Sequence, residues 1–209
     1  KEIFIMKIVV LKFGGSSVGS IKKIIKVAEI IKSYKKKYNV IVVSSAMSGV
    51  TNELVKKSKG ISENFSDEEY DVLVSSGEQV ACSLIAGRLI HQGLKSRSWL
   101  AWQIPILTKG SHKNSRISLI NKKKILKYIG EGGIPIIAGF QGIDNNQRIT
   151  TVGRGGSDAT AIMLAKFLSA EKCIIYTDVE GVYTTDPNKF KKAKKIKTIS
   201  YEEMLEMAS

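Results

Sequence analysis

Lys12-Phe13-Gly14-Gly15-Ser16-Ser17 is the first run in this chain whose residue types could handle an anion. Glycines let backbone N–H groups turn toward phosphate oxygens, a following helix adds its positive end, and a lysine supplies charge. The run is not a Walker A loop, because Ser20-Ile21 stand where Lys-[Ser/Thr] is required, and it is not a dinucleotide-binding G-x-G-x-x-G. A tight strand-to-helix turn beside a surface lysine would read the same way. The second run, Thr150-Thr151-Val152-Gly153-Arg154-Gly155-Gly156-Ser157-Asp158, sets glycines on both sides of an arginine. Such glycine density costs conformational entropy, and it makes sense where backbone must approach a ligand while Arg154 grips a carboxylate or phosphate. Ser157 and Asp158 equally suit plain helix capping. A third run, Thr177-Asp178-Val179-Glu180-Gly181-Val182-Tyr183-Thr184-Thr185-Asp186-Pro187, could hold an adenine and ribose, or form two ordinary turns. The fourth set pairs Ser44-Ser45-Ala46-Met47-Ser48-Gly49-Val50-Thr51-Asn52 with Ser75-Ser76-Gly77-Glu78. Glu78 is an isolated acid among apolar neighbours, either a partner for a substrate ammonium group or an exposed helix glutamate. His91 and His112 stand singly and take no role.

These residues need elements to hold them. Residues 6–12 form a compact apolar run that stops at glycine, which predicts a strand and then a tight turn. Ile21, Ile24, Ile25, Ala28 and Ile31 recur at helical spacing behind Ser20, a natural N-cap. Residues 39–45 read as a strand that is apolar on both faces, residues 60–66 as loop, and residues 67–93 as a long helix. Val72, Val80, Leu84, Ile85, Leu89 and Ile90 are expected on its one broad apolar face. Residues 99–107 read as a strand bent by Pro105, 117–129 as a lysine-rich helix stopped by Gly130, and 134–140 as a strand. Residues 147–152 read as half of a hairpin, 157–168 as a helix, 172–177 as a strand, and 200–207 as a helix start. Strands alternating with helices argue an α/β fold with a largely parallel sheet. No repeat or linker divides it, so one domain is expected over residues 1–209.

Composition removes several classes. With 43% hydrophobic residues the chain can bury a core, which excludes global disorder. No apolar run approaches the ~20 residues of a bilayer-spanning helix. Cys82 and Cys173 lie far apart without metal-ligand spacing and are expected to be buried, reduced thiols in a cytoplasmic protein. The net charge of +14 invites a nucleic-acid reading. The excess is lysine, however, with arginine only at Arg88, Arg97, Arg116, Arg148 and Arg154, and no aromatic–basic RNA-binding pattern appears. Nucleic acid and membrane are therefore not expected as partners.

Taken together and in this order, KFGGSSV, VVSSAMSGVTN, SSGEQV, RSWLAWQIPI, IIAGFQG, TTVGRGGSDATA and TDVEGVYTTDP resemble the aspartate kinases of the amino-acid kinase family. They run from Lys12 to Asp186, and KKIKTISYEEMLEMAS is similar to the same enzymes. The resemblance implies a three-layer α/β sandwich with a largely parallel central sheet, the amino-acid kinase fold. It implies ATP- and Mg²⁺-dependent phosphorylation of the β-carboxylate of L-aspartate, the first step toward lysine, threonine and methionine, in a cytoplasmic homo-oligomer. Mapped onto this chain, Lys12 neutralises the transferring phosphoryl group, and Asp158 orients the lysine and the substrate side of the site. Gly14, Gly15 and Ser16 cradle the phosphates, and Thr177, Asp178, Tyr183 and Asp186 line the nucleotide. Arg154 meets the α-carboxylate and Glu78 the ammonium group of aspartate, with Thr51, Ser157 and the Phe140 backbone completing the pocket. No residue is assigned as a metal ligand.

The family's arginine after Asp-Pro is replaced here by Asn188, followed by Lys189. The chain is expected to end before the last catalytic segment of the family, Gly-Ala-Lys-Val-Leu-His-Pro, and before its regulatory ACT domains. The alternatives are a non-catalytic remnant and a related acetylglutamate, glutamate or uridylate kinase. The paired S-S-G-E and G-R-G-G-S-D segments, which supply an amino-acid grip, argue against those relatives.

Overall fold

A computed structural model describes residues 7–153, 155–177, 181, 184–185, 190, 192–196, 199–200 and 203. Its centre is a five-stranded sheet of β1 (Ile8–Phe13), β2 (Asn39–Ser44), β3 (Ser96–Trp99), β6 (Ile134–Ala138) and β9 (Lys172–Tyr176), ordered β3-β6-β2-β1-β9 with every pairing parallel. Parallel strands need crossovers, and these bring helices onto both faces. The period of two in β1 sorts its side chains. Val9, Leu11 and Phe13 pack with α1 (Ile21–Lys35) and α3 (Asp67–His91), through Ile24, Ala28 and Ile31 of the first and Ala81, Cys82, Ile85 and Leu89 of the second. Val10 packs on the opposite face with Ile125 and Ile129 of α4 (Lys123–Gly130) and with Ala161, Leu164 and Ala165 of α5 (Gly156–Phe167). Each fully buried Ile or Leu contributes about 1.5–3 kcal/mol, so the two layers together hold the sheet from both sides. Lys12 shares the parity of Val10 and therefore projects toward α5.

A second sheet, ordered β5-β4-β7-β8, is formed by β4 (Ile106–Lys109), β5 (Arg116–Ile120), β7 (Gln141–Ile143) and β8 (Ile149–Thr151). Two expectations are corrected here. Residues 99–107 are not one strand but β3 and β4 separated by a turn. In that turn the Gln103 carboxamide oxygen accepts the Leu100 N–H at 2.9 Å and the Ile106 N–H donates to Ala101. Ala101 and Ile104 are buried, so the turn carries the apolar signature of a strand. Residues 117–129 are not one helix. Ile117 and Ile120 mimic helical spacing, yet they belong to β5, paired antiparallel with β4, and the helix starts at Lys123, whose N–H is accepted by Asn121 Oδ1.

The helix at 21–35 begins as expected, with Ser20 Oγ accepting the Lys23 N–H. Ile21 and Ile25 are exposed, however, and Val27 takes a place in the core instead. On α3 the broad apolar face divides. Ile85 and Leu89 are buried, whereas Val72, Val80, Leu84 and Ile90 face outward. The inward face of α3 instead carries Asp71, Ser75, Gly77, Glu78, Ala81 and Cys82, a polar and small surface suited to a site. The sequence reading names no element at α2 (Val50–Ile61), an exposed lysine-bearing helix with little buried apolar surface. Cys82 is a buried free thiol, whereas Cys173 is only partly buried. The helix expected at 200–207 lies almost entirely outside the described residues.

Candidate active site

The chain direction of the parallel sheet decides where loops converge. The carboxyl ends of β1, β2 and β6 open into one cleft of about 590 Å³, beside the point where the chain order reverses from β2 on one side of β1 to β9 on the other. In open α/β sheets this is where ligands bind. The charged side chains among the described residues lining the cleft are Lys12, Glu78, Lys113 and Asp158.

Lys12 stands at the end of β1 with its side chain 8% exposed, and its Nζ lies 2.7 Å from Asp158 Oδ1 in the first turn of α5. The α5 N-terminus turns its positive dipole end toward the same space, although its Gly156, Asp158 and Ala159 N–H groups already donate to the Gly153 and Gly155 carbonyls. The turn into α5 needs backbone that side chains resist. Gly153 and Gly155 have φ of 52° and 71°, and Gly155 is the N-cap. At the end of β1, the Gly14 N–H donates to the Tyr176 carbonyl at 3.1 Å and Ser17 Oγ donates to the same oxygen at 3.3 Å. The loop is thus tied to β9, with Phe13 and Tyr176 stacked at 4.7 Å. Among the described residues, the N–H groups of Gly15 and Ser16 have no acceptor, and these are the donors left for an anion.

Glu78 is 3% exposed. Its Oε1 accepts the Ala46 N–H at 3.0 Å, while its Oε2 is buried without a partner among the described residues. Burial pushes this carboxyl up to about 7, against the smaller opposing pull of the Ala46 N–H. The close approach depends on Gly77, where a β-carbon would lie 2.8 Å from Ala46 Cβ and 3.2 Å from Val50 Cγ1. A buried carboxylate with one unsatisfied oxygen turned to a cleft is suited to a cationic ligand group.

Of the sequence-derived site residues, Lys12, Gly15, Thr51, Glu78, Phe140, Ser157 and Asp158 all line this cleft. Thr51 lies in the first turn of α2. Phe140 follows β6 in the left-handed region at φ 65°, with its N–H donated to Thr160 Oγ1 and its carbonyl accepting the Val152 N–H. Gly14 and Ser16 flank Gly15 but are not among the lining residues. Thr177 follows β9 and is exposed. Arg154, Asp178, Tyr183 and Asp186 lie outside the described residues.

Three residues that sequence reasoning missed also belong here. Lys113 and Tyr70 line the cleft, the Lys113 ammonium lying 4.8 Å from the Tyr70 ring and pairing with Asp67. Asp71, fully buried, joins α3 to β8 and to the loop before β5. The available signal was spacing: Asp71 precedes Glu78 by seven residues on one helix, which puts both acids on one face. Among the described residues no three His, Cys, Asp or Glu side chains gather as a metal site.

Comparison with known proteins finds relatives of this chain in both sequence and fold. The sequence pattern of the amino acid kinase family matches residues 7–209. An aspartokinase of Geobacillus stearothermophilus is 52% identical over 205 residues, covering 98% of this chain and 50% of that protein. The structure of aspartokinase III of E. coli in complex with aspartate and ADP superposes with a TM-score of 0.78 at 28% identity, over 91% of this chain and 53% of that one. The aspartate kinase of Synechocystis superposes with a TM-score of 0.76 at 39% identity, over 96% of this chain and 33% of that one. This chain spans about half the length of the curated relatives it matches.

Proposed function

This chain belongs to the amino acid kinase family, and from that premise we propose that it carries the catalytic site of an aspartate kinase. The reaction transfers the γ-phosphoryl group of ATP to the β-carboxylate of L-aspartate, giving 4-phospho-L-aspartate. The observation that carries this reading is the buried Glu78 with one unpartnered oxygen in the cleft that also holds Lys12. One carboxylate serves the ammonium group of the substrate, and a lysine at a glycine turn serves phosphate. The relatives at about half identity bear the name aspartokinase, and one structural neighbour was solved with aspartate and ADP.

A carboxylate is already an adequate nucleophile, so the site needs no strong base. Catalysis reduces to holding two anions in line and neutralising the phosphate charge. Lys12 would meet the transferring phosphoryl group, with Asp158 holding its ammonium in place until substrates arrive. Glu78 would take the substrate ammonium and Arg154 its α-carboxylate, while Thr51, Ser157 and the Phe140 backbone close the pocket. The Gly15 and Ser16 N–H groups would face the phosphates, presented by the turn at Gly14, whose own N–H is held by Tyr176, and Thr177, Asp178, Tyr183 and Asp186 would face the nucleoside. Mg²⁺ typically binds through phosphates and one or two carboxylates while keeping several waters, so it would be held chiefly by the nucleotide phosphates, Asp158 being paired with Lys12. Neutralisation of phosphate charge is what that ion supplies when bound. We place the protein in the cytoplasm as a homo-oligomer and read residues 1–209 as one catalytic domain.

The test is a coupled ATPase assay on folded protein with and without L-aspartate. Aspartate-dependent ADP release is the expected result, and folded protein whose ADP release ignores aspartate would refute the reading.

A further inference from the structure

Asp71 makes more hydrogen bonds than a helix residue needs for its own stability. Oδ1 accepts from Thr151 Oγ1 at 2.6 Å, and Oδ2 accepts the Thr151 N–H at 3.0 Å. The Lys113 N–H lies 3.1 Å from both oxygens, and His112 Nδ1 lies 2.8 Å from Oδ2. The Ser115 N–H closes the group by donating to the Thr151 carbonyl at 2.9 Å. A carboxylate offers acceptor sites to the whole set, whereas an amide would present its own N–H groups to one pair of donors.

The bonds hold two pieces of backbone that would not settle unaided. Lys113 sits in the left-handed region at φ 66°, a conformation that a non-glycine residue rarely adopts unaided. Thr151 ends β8, and three residues later the chain reaches Arg154 through the left-handed Gly153. Both pieces line the cleft that Glu78 also lines. Asp71 and Glu78 stand two turns apart on the same face of α3. Between them Ser75 accepts at its carbonyl from Gln141 Nε2 at 3.2 Å, a further tie to the second sheet.

We propose that Asp71 is a positioning residue that sets the spacing between Glu78 and the chain at Lys113 and 151–153. A single rigid helix then carries both the group for the substrate ammonium and the mooring of the facing wall of the cleft. The span of the α-amino-acid pocket is fixed by α3 rather than by flexible loops. This inference rests on the reading of the site given above, although Asp71 touches neither substrate.

The test uses calorimetric titration of L-aspartate into the whole chain, with amide hydrogen exchange measured on the same samples. Asp71→Asn is expected to weaken aspartate binding at least tenfold and to speed exchange in segments 112–115 and 150–156, while β1 and β2 keep their protection. Thr151→Val should weaken binding in the same sense, and Thr151→Ser, which keeps the hydroxyl, should stay within about twofold of the unsubstituted chain. Binding by Asp71→Asn within twofold of the unsubstituted chain would overturn the proposal, as would faster exchange spread equally through β1 and β2. If Asp71→Asn does not fold, the Thr151 pair decides: Ser normal and Val weak supports the proposal, and equal behaviour overturns it. Absence of aspartate binding by the unsubstituted chain would overturn the functional reading and this inference with it.

Discussion

Glu78 shows what a single residue contributes. A carboxyl held near 7 instead of its ordinary 4.5 binds a proton in the folded state over a range where the unfolded chain has lost it. Stability therefore falls as pH rises from about 4.5 to 7 and stays lower above that, by about 3 kcal/mol in all for a shift of this size. Glu78→Gln should remove that dependence, leaving the protein more stable than the parent at about pH 8 and no more stable at about pH 4. Urea titrations at the two pH values measure this, and parallel profiles would contradict the assignment. Aspartate affinity of the parent should fall about tenfold per unit as pH drops below 7, because a neutral Glu78 no longer attracts an ammonium group. Lys12→Ala should lower kcat by about three orders of magnitude or more, the scale for removing a cation that meets transition-state charge. An unchanged circular-dichroism spectrum would separate that loss from misfolding. Both residues were legible in the sequence, Lys12 by its place before glycines and Glu78 as an isolated acid in apolar surroundings. Asp71 was not, because its importance consists of bonds to Thr151, Lys113 and His112, all at least 41 positions away.

At the scale of elements, one close contact sets the site. Gly77 lets α3 approach the loop after β2, so that the Ala46 N–H reaches Glu78. Gly77→Ala gains up to about 1 kcal/mol of helix propensity, yet its methyl would sit 2.8 Å from Ala46 Cβ, a backbone-fixed atom with nowhere to turn. Overpacking of this kind costs about 1–3 kcal/mol. The variant should melt a few degrees lower and bind aspartate several-fold more weakly, as thermal unfolding and calorimetry would show. An increase in both would mean that the loop yields freely. The elements with a continuous apolar run or a helical pattern, β1, β2, α1, β6, α5 and β9, were readable from the sequence. The failures came where tertiary burial reused a pattern. The turn between β3 and β4 is apolar because it is buried, and β5 carries isoleucines at helical spacing because a bulge opposite Leu107 and Thr108 brings Ile117 and Ile120, three residues apart, to one face.

For the whole molecule, β9 matters more than its position near the edge suggests. It pairs along β1 in register Val9↔Lys172 through Phe13↔Tyr176, across some 160 residues of chain, and Tyr176 holds the loop at Gly14 and Ser17. A chain ended at Ala170 would leave β1 as an apolar edge strand, a template for aggregation, and should elute as large aggregates on size exclusion. A soluble monomer with native circular dichroism would show that the sheet stands without β9. The sequence by itself determined the fold class and pointed to the groups of residues proposed for the chemistry, because apolar runs, glycine turns and the types of charged side chain are local properties. Only the tertiary structure decided that Lys12, Thr51, Glu78, Ser157 and Asp158 share one cleft, that Lys12 faces Asp158, and that Asp71 moors the opposite wall. Those facts depend on which distant segments pair and on which side of the sheet each helix crosses, and long-range pairing is settled by the packing of the whole chain rather than by any window of it.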